Sequence, residues 1–98
     1  MPYPLTVYFD ASCSLCNSEM QAIKIHDTKQ RLCLIDCSAA DFDDAPFRSE
    51  GITREAMMAC LHVQNSQGTW IKGVSAFELL LMNQLSIVSI ETEQAELL

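Results

Sequence analysis

The chain has 98 residues, 49 % hydrophobic and 19 % charged, a balance that points to one folded domain over residues 1–98 and excludes a disordered chain. Its formal charge of −7, from 13 Asp+Glu against 6 Lys+Arg, argues against nucleic acid or an anionic membrane as partner. No apolar run approaches the ~18 residues of a membrane span, and no basic-then-apolar leader precedes the first apolar run.

A cytoplasmic location is therefore expected. In that reducing compartment the five cysteines point to thiol chemistry or metal rather than to permanent cross-links, and their odd number speaks against a fully paired scaffold.

The first element is a strand over Leu5–Asp10, a short β-branched and aromatic run without Gly or Pro. A helix follows, with Ser12 or Ser14 as its expected cap. Cys16, Met20 and Ile23 recur at helical spacing, Leu15, Ala22 and Ile25 widen the apolar face, and the helix is expected to reach about Asp27. Leu32–Asp36 is a second, nearly continuous apolar run, as suits a parallel strand covered on both faces. Strand, helix and strand within this length make a βαβ unit with a right-handed crossover.

Residues 38–55 carry little pattern beyond a polar loop or short helix at Asp41–Pro46 and a helical turn at Thr53–Met57. Met58–Gln64 reads as a third strand, Asn65-Ser66-Gln67-Gly68 as a turn, and Thr69–Lys72 as the returning fourth strand of a hairpin. Ser75-x-x-Glu78 reads as a capping box opening a last helix with Ala76, Leu79 and Leu80 inward and Phe77 and Leu81 beside them. Ile87–Ile90 reads as a short strand or packed tail, and Glu91–Leu98 as a frayed or amphipathic end. The expected class is α/β (α+β), β-α-β then β-β-α: a mixed four-stranded sheet with helices on both faces, the thioredoxin-like arrangement.

Chemistry concentrates where the first strand meets the first helix, in Asp10-Ala11-Ser12-Cys13-Ser14-Leu15-Cys16. Two cysteines three apart at a helix start share one face, at a spacing that suits the Cα separation of roughly 4.4–6.8 Å of a disulfide. The unpaired N–H groups and partial positive charge of a helix N-terminus stabilise a thiolate. Cys13, at the mouth, is thus the expected nucleophile, and Cys16, one turn further in, the resolving thiol.

Asp10 has two readings. It either takes a proton from Cys16 during resolution or bonds backbone N–H groups at the turn. Cys33 and Cys60 read as small core hydrophobes, whereas Cys37 falls near the strand end on the same edge as Cys13. A tetrathiolate metal site from Cys13, Cys16, Cys33 and Cys37 is the alternative, disfavoured because the second pair lies in a strand-like run instead of a knuckle. No cofactor motif is present. His26 suits a helix C-terminus, His62 a packed, hydrogen-bonded position, and Trp70 the cover of the hairpin.

Asp10-x-x-Cys13-x-x-Cys16 after a strand resembles the signature of the DCC family of predicted thiol–disulfide oxidoreductases. Leu61-His62-Val63, Gly68 and Gly73-Val74-Ser75-Ala76-Phe77 are similar to that family's hairpin and last helix, so the resemblance covers roughly residues 5–82. It implies a thioredoxin-like enzyme acting on a thiol or disulfide substrate, protein or small molecule, through Cys13 and Cys16. Ala11 stands where members often have Gly, so the turn must here avoid a positive φ. Thioredoxins place a cis-proline before the third strand. With that strand starting at Met58, Ala56 or Met57 holds the place, which removes the usual proline grip on a protein substrate. A non-catalytic interaction domain on the same scaffold is the remaining reading.

Overall fold

The computed structural model describes residues 3–82. The expected features at 87–98 lie outside the described residues. Four strands, β1 (Leu5–Phe9), β2 (Leu32–Asp36), β3 (His62–Gln64) and β4 (Trp70–Lys72), form one sheet in the order β2-β1-β3-β4. β1 pairs parallel with β2, from Leu5↔Leu32 to Phe9↔Asp36, and antiparallel with β3, which pairs antiparallel with β4. The class is mixed α/β, consistent with the thioredoxin-like arrangement.

β1 lies in the middle of the sheet, and this is why its sequence is apolar at nearly every position: both of its faces are covered. On one face Leu5, Val7 and Phe9 pack with Leu32 and Val63 against helix α1 (Ser14–Ile25) and the helix over residues 74–82, called α3, through Met20, Ile23, Ala76 and Leu80. On the other face Tyr8 packs with Cys37, Ile52 and Met57. Its ring lies 5.4 Å from that of Trp70 and 5.5 Å from that of Phe47, within the range of favourable aromatic pairs. This second face is covered by a 3₁₀ segment, Ala45–Glu50, and by the short helix α2 (Arg54–Ala59). Trp70 covers the hairpin as expected and donates its indole N–H to Glu50.

Several boundaries differ from the sequence reading. The third strand starts at His62, because Met58 and Ala59 belong to α2. Residues 54–59 hold strong helix formers and no β-branched residue, and Thr53 caps them by accepting the Ala56 N–H. Leu61, and not Ala56 or Met57, therefore precedes β3. Helix α3 begins at residue 74, with the Ala76 and Phe77 N–H groups bonded to the Gly73 carbonyl. Ser75 thus lies inside the first turn and is not the cap.

Helix α1 ends at Ile25, where Asp27 takes over. Its carboxylate accepts the Arg31 and Leu32 N–H groups and pairs with Lys24 at 2.9 Å. Burial alone would raise the Asp27 pKa, but those partners together leave it lowered. The widened apolar face of α1 is not buried: Leu15 and Ile25 are 67 % and 77 % exposed.

Candidate active site

The joint between β1 and α1 is closed by two carboxylates. Asp10 accepts the N–H and hydroxyl of Ser12, and its own carbonyl accepts the Cys13 N–H at 3.2 Å. Asp36, at the end of β2, reaches across to accept the Ala11 N–H at 3.1 Å and also binds the N–H and hydroxyl of Ser38. Bonding to the Ser38 hydroxyl, aided by the Ser38 and Ala11 N–H groups, lowers the Asp36 pKa against the effect of burial. Ala11 thereby enters the turn without a left-handed φ, a conformation that Gln30 alone adopts among the described non-glycine residues.

Since Ser12 spends its hydroxyl on Asp10, neither expected serine caps the helix. The cap is Cys13 itself, in extended conformation (φ −82°, ψ 112°), whose sulfur accepts the Cys16 N–H at 3.4 Å. Both thiols are half-buried and unpaired. A hydrogen bond from the Cys16 side chain and then the Cys16 backbone N–H lower the Cys13 pKa; desolvation opposes them ahead of the added help of the Leu15 N–H, and the Asp10 charge opposes them least. The same side-chain contact, with desolvation and the charges of Cys13, Glu19 and Asp10, raises that of Cys16. One thiol is thus biased to ionise and its neighbour to keep its proton.

A mainly apolar cleft of about 140 Å³ opens beside Cys16, walled by the end of β1, α1, α2 with its connection to β3, and α3. Cys16, Asp10 and Glu19 line it, together with Met57, Leu61 and Phe77. Asp10 and Cys16 therefore share one cavity, although the Asp10 carboxylate is hydrogen-bonded to Ser12.

The other cysteines sit apart from this chemistry. Cys37 is on the expected edge but fully buried, its thiol and N–H both donating to the Phe9 carbonyl at 2.9 Å. Burial pushes its pKa up to about 11. Cys33, expected in the core, is exposed on the outer strand β2, and Cys60 is exposed in the α2–β3 connection. The tetrathiolate alternative fails on register: Cys33 pairs with Thr6, early in β1, whereas Cys13 follows the far end of that strand. Among the described residues no group of three or more His, Cys, Asp or Glu side chains is placed to hold a metal ion.

His62 is buried and bonds the Cys60 carbonyl at 2.9 Å, as a packed histidine does. Sequence reasoning missed Asp36, Glu19 and Leu61. A signal for Asp36 was present: Asp36-x-Ser38 repeats the Asp10-x-Ser12 pattern at the end of the neighbouring strand.

Among the described residues no helix is long and apolar enough to cross a membrane. No curated protein and no solved structure gives a match to the chain. One family model, described as DCC1-like thiol-disulfide oxidoreductase, matches residues 7–91. That span runs from within β1 through the dithiol and the hairpin to beyond the described residues, and so this chain belongs to the DCC1-like thiol-disulfide oxidoreductase family.

Proposed function

We propose that the chain is a dithiol–disulfide oxidoreductase in which Cys13 attacks, Cys16 resolves and Asp10 assists. The observation that carries this reading is the Cys16 N–H directed at the Cys13 sulfur at a helix mouth, with the two thiols shifted in opposite directions.

In the reducing direction the Cys13 thiolate attacks one sulfur of a substrate disulfide. That S–S bond breaks, a mixed disulfide forms on Cys13, and the first substrate thiolate leaves and takes up a proton. Cys16 then loses its proton and attacks the Cys13 sulfur, which expels the second substrate thiol and leaves a Cys13–Cys16 disulfide. Two electrons pass from the protein dithiol to the substrate. Asp10 lines the same cleft as Cys16, which suits it to accept the Cys16 proton. Five free thiols suit a reducing compartment, and the cytoplasm is the location we assign.

Trapping tests the roles. Cys16→Ser should accumulate a mixed disulfide on Cys13, visible by mass under non-reducing conditions, and Cys13→Ser should accumulate none. Equal trapping by both variants overturns the assignment. Absence of exchange in the unmodified protein would leave the non-catalytic reading.

A further inference from the structure

Beside Cys16 the cleft combines two features that the exchange chemistry does not itself require. Its walls are apolar, from Phe9 at the end of β1 to Leu61 and Phe77, and its volume of about 140 Å³ is close to that of cavities that hold one benzene-sized group. Its charged lining residues are both acidic, Asp10 and Glu19, and no Lys, Arg or His lines it. The net charge of the chain, −7, has the same sign as this rim. Leu61 stands directly before β3, the place a proline takes in thioredoxins, and its carbonyl accepts the Gly73 N–H at 2.7 Å. That bond ties this wall to the turn that starts α3, and the cleft draws on β1, α1, α2 with its connection to β3, and α3.

We propose that this cleft selects the substrate: a disulfide carrying one apolar side chain next to its half-cystine and a neutral or cationic flank. Anionic low-molecular-weight disulfides such as oxidised glutathione are discriminated against. The inference rests on the Cys13–Cys16 exchange reading and adds to it the chemistry of the group exchanged. An apolar side chain seated in the cleft loses its contact with water and brings its neighbouring sulfur to the dithiol. A carboxylate on the substrate would meet Asp10 and Glu19 in a partly desolvated site, where like charges repel more strongly than in water. A lysine or arginine at the same place gains what the carboxylate loses.

The experiment uses the full reduced chain and symmetric disulfides of short peptides, acetyl-X-Cys-Z-amide, with X as Leu or Gly and Z as Lys, Gln or Glu. Loss of the dithiol form is followed by acid quench and mass spectrometry, and each rate is divided by that of 2-mercaptoethanol with the same peptide. This removes differences in leaving-group reactivity. The Leu/Lys peptide should react about tenfold faster than the Gly/Glu peptide at low salt. The Lys/Glu gap should close largely in 1 M salt, where the screening length falls to about 3 Å, while the Leu/Gly gap persists. Glu19→Gln should narrow the Lys/Glu ratio about threefold at low salt. Asp41→Asn, which removes an exposed acid outside the cleft, should leave it as it was.

Normalised rates that are equal for all six peptides overturn the substrate inference and leave the exchange reading standing. If no peptide converts Cys13 and Cys16 to a disulfide, the exchange reading itself falls.

Discussion

The two parallel strands end in the same way and deliver opposite thiols. β1 runs into Asp10-Ala11-Ser12 and β2 into Asp36-Cys37-Ser38, and in each turn the aspartate accepts both the N–H and the hydroxyl of the serine two residues on. After the first turn the chain enters α1, with Cys13 as its cap and a sulfur that accepts an N–H. After the second, Cys37 stays in line with the ladder, and both its N–H and its thiol donate to Phe9. Accepting a hydrogen bond at a helix mouth favours the thiolate, whereas burial against a carbonyl favours the thiol. A similar local turn on the same sheet edge thus yields one reactive sulfur and one inert sulfur, and the element that follows makes the difference.

Alkylation should show the contrast at its largest. With the Cys37 pKa at about 11 and that of Cys13 below its ordinary 9.0, the thiolate fractions at pH 7 differ by at least about a hundredfold. The more basic thiolate is intrinsically more nucleophilic and recovers part of this, so about tenfold remains from ionisation alone. Burial of Cys37 adds to it. A pulse of iodoacetamide read by peptide mass mapping should label Cys13 first, Cys16 later and Cys37 only in denaturant. Labelling of Cys37 in the folded protein at the rate of Cys13 would erase the contrast.

Next in size is the link between the two turns. Asp36→Ala removes three acceptor contacts, including the tie from β2 to the Ala11 N–H, and should lower stability by about 2 kcal/mol in urea titrations at pH 7. The Asp36 pKa is lowered in the folded state, so its stabilisation is present in full above the ordinary carboxyl value of 3.8. It is lost as pH falls through the folded pKa. The gap between the unmodified protein and the variant should therefore hold from pH 7 to about pH 5 and narrow below pH 4. A gap independent of pH would mean that the Asp36 charge plays no part.

Asp10→Asn should give the smallest effect and the sharpest one. Asparagine keeps the acceptor that Ser12 needs and makes the same kind of turn, so little stability should be lost. Without the charge, Cys13 should alkylate up to about threefold faster at neutral pH, because the nearby Asp10 carboxylate opposes its ionisation. Release of the second substrate thiol should slow if Asp10 accepts the Cys16 proton. Unchanged release, measured by single-turnover quench, would confine Asp10 to holding the turn.

Much of this molecule was legible because its decisive features are local. An apolar run, a turn and two cysteines one helical turn apart lie within a dozen residues, and spacing alone sets them on one face. Likewise Asn65 to Gly68 marked the hairpin, with Gly68 at φ +86° where a side chain would be strained. Reading failed where neighbours in space are distant in sequence. Met58 and Ala59 look acceptable in a strand or a helix, and the burial of Met57 against Tyr8 and Cys37, distant in sequence, settles α2. Cys33 looks like core until β2 proves to be an outer strand.

By itself the sequence determined the dithiol, its place at a strand–helix joint and the mixed sheet that carries it, since hydrophobic period and cysteine spacing are properties of short segments. Tertiary structure decided which sulfur is the cap, that Asp36 from the next strand holds the turn, that Cys37 is sealed, and that Glu19 and Leu61 face the cleft with Cys16. Those outcomes depend on which backbone groups remain unpaired after the strands align, and strand alignment is a long-range property.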